Sequence, residues 1–453
     1  MGGRSTTVNA YDDSSYPVEL GASIFVKVNS ILNDAVGEFN LSTSSFTPDT
    51  KIPGAALAVW DGQKFVVNQE TNGWWDTAKL LWKYGLAPIK TMRLMRKVVG
   101  QFLKMYDHPL FPFEDLTQVA QDAGLLAVTA ATGLQYLKEN SITGDFGHDI
   151  VQASTRVNYA INLDHIHGLE AMVCMAAEEA RSVQGGNWQI FDRMVKASKA
   201  TTVLGTKVSA ITPQGKTKQY SLKFDATNHS TLVTYRSDRY DEIIVATPFQ
   251  VSDLSLPLDD IAIDEIPYVQ LHVTLFASPH LLSPTYFNLA PDEAVPRVIL
   301  TTLPKDDKPH KGPAGVGSPG FFSISLLHGV TNPHTNSQEY LYKIFSAEPP
   351  NSTFLAHLLD IKFEGPIEDA ETSDKDITWM YRKLWNSYPY EYPRVTFEKI
   401  KLAEGLWYTG GMDSFISTME TNALMGRNVA QLVIDKWVRE EVLSHKIVFP
   451  QHN

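Results

Sequence analysis

Several short stretches of this chain combine glycine with polar residues in a way that could hold an anionic or planar ligand against bare backbone. They are Gly2-Gly3-Arg4, Glu19-Leu20-Gly21-Ala22-Ser23, Gly185-Gly186-Asn187 and Gly410-Gly411-Met412-Asp413, the last leading through Met419-Glu420 into a closing helix. Glycine permits close backbone approach, and a helix N-terminus stabilises negative charge. Taken singly, each stretch is as readily a tight turn or a helix cap. Gly315-Val-Gly317-Ser-Pro-Gly320 spells a GxGxxG string, but a Lys/Pro/His loop precedes it and Pro319 interrupts it. A nucleotide fingerprint needs a strand before and a helix after, so this string is expected to be a flexible surface loop. His165 and His167 form a His-x-His pair without a third clustered ligand and suggest local polar structure, with no metal site. Cys174 falls on an apolar helix face and is expected to be a buried, inert thiol. No Ser/His/Asp set or phosphate loop stands out, and no catalytic base can be named.

The elements that must position these residues follow from periodicity. Tyr16–Phe25 is strand-like around Gly21. Ala55–Trp60 and Lys64–Val67 flank Asp61-Gly62, a strong hairpin signal. From Trp74 to Tyr106 apolar residues recur at helical spacing, and Pro88 should split the stretch into two helices. Further helices are expected at Asp115–Ala123, Gly168–Arg181, Trp188–Ala197 and Met419–Val438. Strands are expected at Thr201–Ile211, Gln219–Phe224, Thr231–Tyr235, Glu242–Ala246 and Phe321–Leu327. This mixture fits an α/β or α+β enzyme of more than one layer.

Composition sets the outer bounds. The chain has 453 residues, 39 Lys+Arg against 51 Asp+Glu, a net charge of −12 and one cysteine. The acidic balance argues against a nucleic-acid partner, because phosphate binding needs clustered cations. A single cysteine excludes an intrachain disulfide framework. No apolar run reaches the roughly 18–20 residues that a membrane span requires, and residues 1–9 lack the apolar core of a signal peptide.

The ordered glycine motifs, with Val208 on the Val203–Ile211 run and Thr247 in Asp241-Glu-Ile-Ile-Val-Ala-Thr247-Pro248, resemble the FAD-binding half of glutathione-reductase-type amine oxidases. More specific strings resemble one family, the prenylcysteine oxidases (prenylcysteine lyases): Trp74-Trp75 with Lys79-Leu-Leu-Trp82-Lys-Tyr84-Gly85, Arg156-Val-Asn-Tyr159 with Asp164, Tyr342-Lys343-Ile344-Phe345-Ser346, and Trp385-Asn-Ser-Tyr388-Pro-Tyr390. The resemblance implies a discontinuous FAD-binding domain over 1–50, 180–250 and 400–440 and a substrate domain over 51–179 and 251–399. It implies non-covalent FAD contacted by Gly2, Gly3, Arg4, Gly21, Ala22, Ser23, Val208, Thr247, Gly411, Asp413, Met419 and Glu420. The substrate would be S-farnesyl- or S-geranylgeranyl-cysteine, near Trp74, Trp82, Arg156, Tyr159 and Asp164, with the Trp74–Leu103 stretch lining an apolar tunnel. Oxidation at the prenyl carbon adjoining sulfur would consume dioxygen and release prenyl aldehyde, cysteine and hydrogen peroxide.

The family pattern begins with a strand, a GxGxxG loop, a helix and a second strand ahead of the GG-R turn, whereas Met1 here adjoins Gly2. An N-terminally truncated chain is the expectation; the alternative is a divergent member that has lost flavin. Two other readings remain open: another amine-oxidase-type flavoenzyme, and a non-catalytic, flavin-free protein that binds apolar ligands. The family setting implies a lysosomal, vacuolar or secreted glycoprotein, for which Asn40, Asn228 and Asn351 head the sequons.

Overall fold

The computed structural model describes residues 2–45, 52–70, 74–215, 219–228, 231–256, 263–264, 266–362 and 375–448. The chain forms two compact units, 1–99, 128–194 and 268–394 in the first, and 100–127, 195–267 and 395–453 in the second. This division cuts across the expected domains. Residues 2–45 pack with 181–187, as the sequence implies, through Thr43–Ser45 pairing with Arg181–Val183 and Asn187 bonding Ala22, and also with the strands of 268–394, because Arg4, Glu19 and Gly21 are tied to Ser387, Lys343 and Trp385.

The first unit is built on a seven-stranded sheet in the order Trp379–Pro389, Tyr268–Ser278, Gln338–Ser346, Ser323–Thr331, Val298–Thr301, Leu57–Trp60, Phe65–Gln69. Neighbours are antiparallel except Val298–Thr301 with Leu57–Trp60. Tyr268–Ser278 begins with alternating burial and ends in a continuously buried run, Val273–Ser278, as expected of a strand covered on both faces. Trp60, Phe276, Phe287, Phe321, Tyr342 and Leu355 belong to its core. The hairpin at Asp61-Gly62 forms as expected: Gly62 takes φ +94° and Asp61 Oδ1 accepts from the Gln63 and Lys64 amides, both at 2.8 Å. The long apolar stretch also splits as expected, into helices Trp74–Tyr84 and Ala87–Phe102 around Gly85-Leu86. The helix expected over Gly168–Arg181 is shorter, Gly168–Cys174; Glu179 takes φ +54°, and Arg181–Val183 instead pairs with Thr43–Ser45.

The second unit contains an antiparallel meander, Thr206–Gln214, Gln219–Asn228 and Thr231–Tyr240. It also holds a small sheet in which Ile243–Val245 and Leu406–Tyr408 run parallel, with Lys401–Ala403 at the edge. Ile211, Tyr220, Val245, Leu402, Leu406 and Tyr408 form one apolar cluster joining these two sheets. The closing helix Met419–Val448 runs about ten residues beyond the expected end.

Candidate active site

In the first unit, three of the sequence motifs meet at one turn. Thr7–Asn9 pairs antiparallel with Pro17–Glu19, so that Gly2-Gly3-Arg4 lies beside Gly21-Ala22-Ser23. Gly2 and Gly3 take φ +94° and +57°; a Cβ on Gly3 would meet nothing within 4 Å, so backbone is open to a ligand there. Gly21 is bare for another reason: a Cβ would stand 2.8 Å from Cζ2 of Trp385. Asn187 locks the third motif in place, since its Nδ2 donates to Ala22 O at 2.7 Å and its Oδ1 accepts from the Val183 amide at 2.8 Å. Gly186 has φ +114°, and a Cβ would stand 2.5 Å from Thr7 Cγ2. Arg4 donates to Ser387 O at 2.8 Å.

Two titratable groups flank this turn. Glu19 accepts from the Thr6 and Asn187 amides at 2.7 and 3.2 Å. Burial pushes its pKa up to about 7 against those bonds and against the charge of Lys343. Lys343 Nζ donates to Glu19 O and Ser23 Oγ, each at 3.1 Å. Burial pushes its pKa down to about 8, opposed only by Glu19. The Tyr342–Ser346 string assigns Lys343 no role by itself. What marks it in the sequence is a cation between apolar residues, on a strand, Gln338–Ser346, that is interior to the sheet. A lysine and a glutamate brought near neutrality at one turn can hold or exchange a proton.

In the second unit, the parallel strands Ile243–Val245 and Leu406–Tyr408 end side by side, with the Thr409 amide donating to Val245 O at 3.1 Å. Ligands of open α/β sheets bind outside such carboxyl ends. Thr247 is exposed just beyond one strand, and the buried turn Gly410–Ser414 follows the other. A Cβ on Gly411 would press on Glu398 Cβ at 3.0 Å. Asp413 Oδ1 accepts from Asn422 Nδ2 at 2.9 Å, fastening the turn to the closing helix, whose first residue is Met419. Glu420 is buried and accepts from Tyr106 OH at 3.0 Å, a structural use. Val208 lies half-buried in the meander, opposite Phe224.

The chain matches the prenylcysteine lyase family over residues 67–445. That covers most of its length. The chain belongs to the prenylcysteine lyase family. Its relatives include a farnesylcysteine lyase from Arabidopsis thaliana, 27% identical over 98% of this chain and 82% of that protein. Another is prenylcysteine oxidase 1 from Homo sapiens, 23% identical over 96% and 82%. Both are enzymes by name. Its mixed α/β fold is shared with a redesigned putrescine oxidase (TM-score 0.54, 11% identity, 96% of this chain and 91% of that one) and with a cyclohexylamine oxidase from Brevibacterium oxydans (TM-score 0.51, 12% identity, 96% and 91%).

The positions expected to touch substrate fare unevenly in this prenylcysteine lyase family member. Arg156 is fully buried and all five of its N–H groups are used: Nε on Thr301 Oγ1 at 3.0 Å, Nη1 on Asn162 Oδ1 and Gly315 O at 2.7 Å each, and Nη2 on Val316 O at 2.8 Å and Phe321 O at 3.5 Å. None remains for a substrate carboxylate, which corrects that expectation. The same contacts correct the reading of the GxGxxG string, which is fastened by a buried arginine. Trp82 is 92% exposed and lines no tunnel. The side chain of Trp74 lies outside the described residues. Tyr159 is buried against Tyr388, ring centroids 5.1 Å apart, and burial and then Glu170 push its pKa up. Asp164 is half-buried, and its Oδ1 accepts no hydrogen bond.

His167, Glu170 and Glu391 form a fully buried trio with ligand atoms within 4.8 Å of one another. His167 Nδ1 accepts from the Glu170 amide at 3.0 Å, so the ring proton sits on Nε2, facing Glu391 Oε2 at 3.3 Å. His167 is also the N-cap of the Gly168–Cys174 helix.

Proposed function

We propose that this chain is a flavin-dependent thioether oxidase that cleaves S-farnesyl- or S-geranylgeranyl-cysteine. The observation that carries the reading is the family match over residues 67–445, on a fold shared with amine oxidases. The carbon adjoining sulfur gives up two electrons and a proton, water adds to it, and the C–S bond breaks. The products are prenyl aldehyde and cysteine, and the electrons pass to dioxygen as hydrogen peroxide. Flavin, when bound, supplies the two-electron acceptor. In the first unit, the open backbone at Gly3 and the Gly21-Ala22-Ser23 turn suit the close approach of a planar group; in the second, taken by itself, the Gly410–Ser414 turn and the N-terminus of the Met419–Val448 helix suit a phosphate. Glu19 and Lys343 would hold or move a proton beside the planar group. The only cysteine, Cys174, is buried with its pKa pushed up by burial and then by Glu170, which favours non-covalent attachment. The reading extends to a lysosomal, vacuolar or secreted setting, to be tested by locating the tagged protein in cells.

The test combines a spectrum with an assay. The purified chain is titrated with FAD, and peroxide release is followed with farnesylcysteine and with putrescine. Peroxide from the thioether alone supports the proposal. Peroxide from the amine alone, or absence of any flavin uptake, overturns it.

A further inference from the structure

The Trp74–Tyr84 and Ala87–Phe102 helices meet at a corner whose apolar residues face outward. Trp82 is 92% exposed and Leu86 65%, followed by Met92 at 45% and Ile89 at 38%. At 100° per residue, Ile89, Met92, Arg93 and Arg96 share the outer face of the second helix, while Thr91, Leu94, Met95 and Val98 fill its buried face. The corner is held from behind. Lys83 Nζ and Tyr84 OH both donate to the buried Asp149 carboxylate, at 2.9 and 2.7 Å. Anchoring residues 83 and 84 inward turns Trp82 out.

The charge of this face departs from that of the protein. Between Thr77 and Val99 stand Lys79, Lys83, Lys90, Arg93, Arg96 and Lys97, with no Asp or Glu, in a chain whose net charge is −12. Lys79, Lys83 and Arg96 are paired with Glu70, Asp149 and Glu178. Of the neighbouring acids, Glu179 and Asp145 are paired with Lys27 and Lys305. Among the described residues, Lys90, Arg93 and Lys97 pair with no acid, and all three are exposed, Lys90 Nζ donating also to Ser141 O at 3.1 Å.

We infer that this corner docks the protein on a bilayer bearing anionic headgroups. Trp82 and Leu86 enter the interface, Ile89 and Met92 lie along it, and Lys90, Arg93 and Lys97 meet the headgroups. A protruding tryptophan, aliphatic side chains and interleaved cations are the chemistry of a helix lying in the membrane surface. No helix among the described residues is long and apolar enough to cross a membrane. The inference does not depend on the proposed reaction, because its readout is binding.

The experiment is co-sedimentation of the full chain with vesicles of phosphatidylcholine alone, and with phosphatidylserine at roughly one part in three. Binding is expected to favour the anionic vesicles and to weaken as salt rises. The double variant Trp82→Ser, Leu86→Ser is expected to lose binding to both. Arg93→Glu with Lys97→Glu is expected to lose roughly twentyfold or more on anionic vesicles and little on neutral ones. Unchanged melting of each variant shows that it folds. Absence of sedimentation with anionic vesicles, or wild-type binding by either double variant, overturns the inference. So does a dimer that Trp82→Ser, Leu86→Ser dissolves, since the face would then belong to a second copy.

Discussion

Replacing Arg156 with methionine separates two jobs that one buried arginine could hold. Its guanidinium makes four hydrogen bonds of 2.7–3.0 Å and a longer one of 3.5 Å. Three of the acceptors, Gly315 O, Val316 O and Phe321 O, belong to the loop that carries the GxGxxG string. Methionine fills the aliphatic volume and leaves these acceptors without the cation. At about 1 kcal/mol per bond the loss is ~4 kcal/mol. Part is recovered, because burial penalises the charged form and pushes this arginine's pKa down to about 9. A net local destabilisation of about 2–4 kcal/mol remains. Hydrogen exchange reads it directly. The amides of Gly317, Gly320 and Phe322, bonded to Ala314 O, Gly317 O and Phe345 O, should exchange roughly thirtyfold to several hundredfold faster. Unchanged exchange at those amides with a raised KM for prenylcysteine would refute the reasoning and return Arg156 to the substrate.

Gly186→Ala should lower the melting temperature by several degrees, at a cost of about 2 kcal/mol or more, because φ is +114° and the new Cβ would collide with Thr7. Asp149→Asn should abolish an acid limb of stability. Hydrogen bonds from His148, Lys83 and Tyr84 outweigh burial and push the Asp149 pKa down to about 2, so the wild type loses that contribution as pH falls through about 4 to 2, and acid denaturation of the two proteins checks it. Lys343→Met should match or exceed wild-type stability near neutral pH while lowering kcat/KM for farnesylcysteine. The folded protein disfavours the charged lysine, so the wild type gains stability as pH rises from about 8 towards 10.5 and the variant does not; a variant less stable than wild type at pH 7 would count against this.

The sequence showed local structure best where one residue type dictates one conformation. Asp61-Gly62 marked its hairpin, and Asp115, now the N-cap accepting from the Gln118 amide at 2.8 Å, marked the start of its helix. Helix ends were harder: nothing local announces that Glu179 turns left-handed or that the closing helix continues past Val438. At the candidate site, the glycine motifs were visible as strings. Their convergence was not, because it depends on pairings across long sequence separations, such as Asn187 with Ala22 and Lys343 with Ser23. Arg156 shows the opposite failure. A motif match marked it, but only the hydrogen bonds of the folded chain reveal that its cation serves a loop 160 residues away. Trp82 fails similarly, since helical periodicity cannot tell an inward tryptophan from an outward one beside two anchored neighbours.

The turn at Glu19–Ser23 also sets how its charge depends on pH. Glu19 titrates near 7 and Lys343 near 8, both moved towards neutrality by burial. On the acid side Glu19 is neutral and Lys343 cationic, so together they carry +1. On the alkaline side Glu19 is anionic and Lys343 neutral, so together they carry −1. The change spans roughly pH 6 to 9, one unit beyond each midpoint. A site that receives an anionic group beside this turn should therefore bind it best below pH 7 and progressively less well above it. Prenylcysteine carries such a group, its carboxylate, and its methyl ester does not. KM for the free acid should rise across this window, whereas KM for the ester should stay nearly flat. Parallel profiles for the two compounds would show that the carboxylate lies away from Lys343. The lysine would then act on the proton inventory of the reaction alone, and the pH dependence would move from KM to kcat.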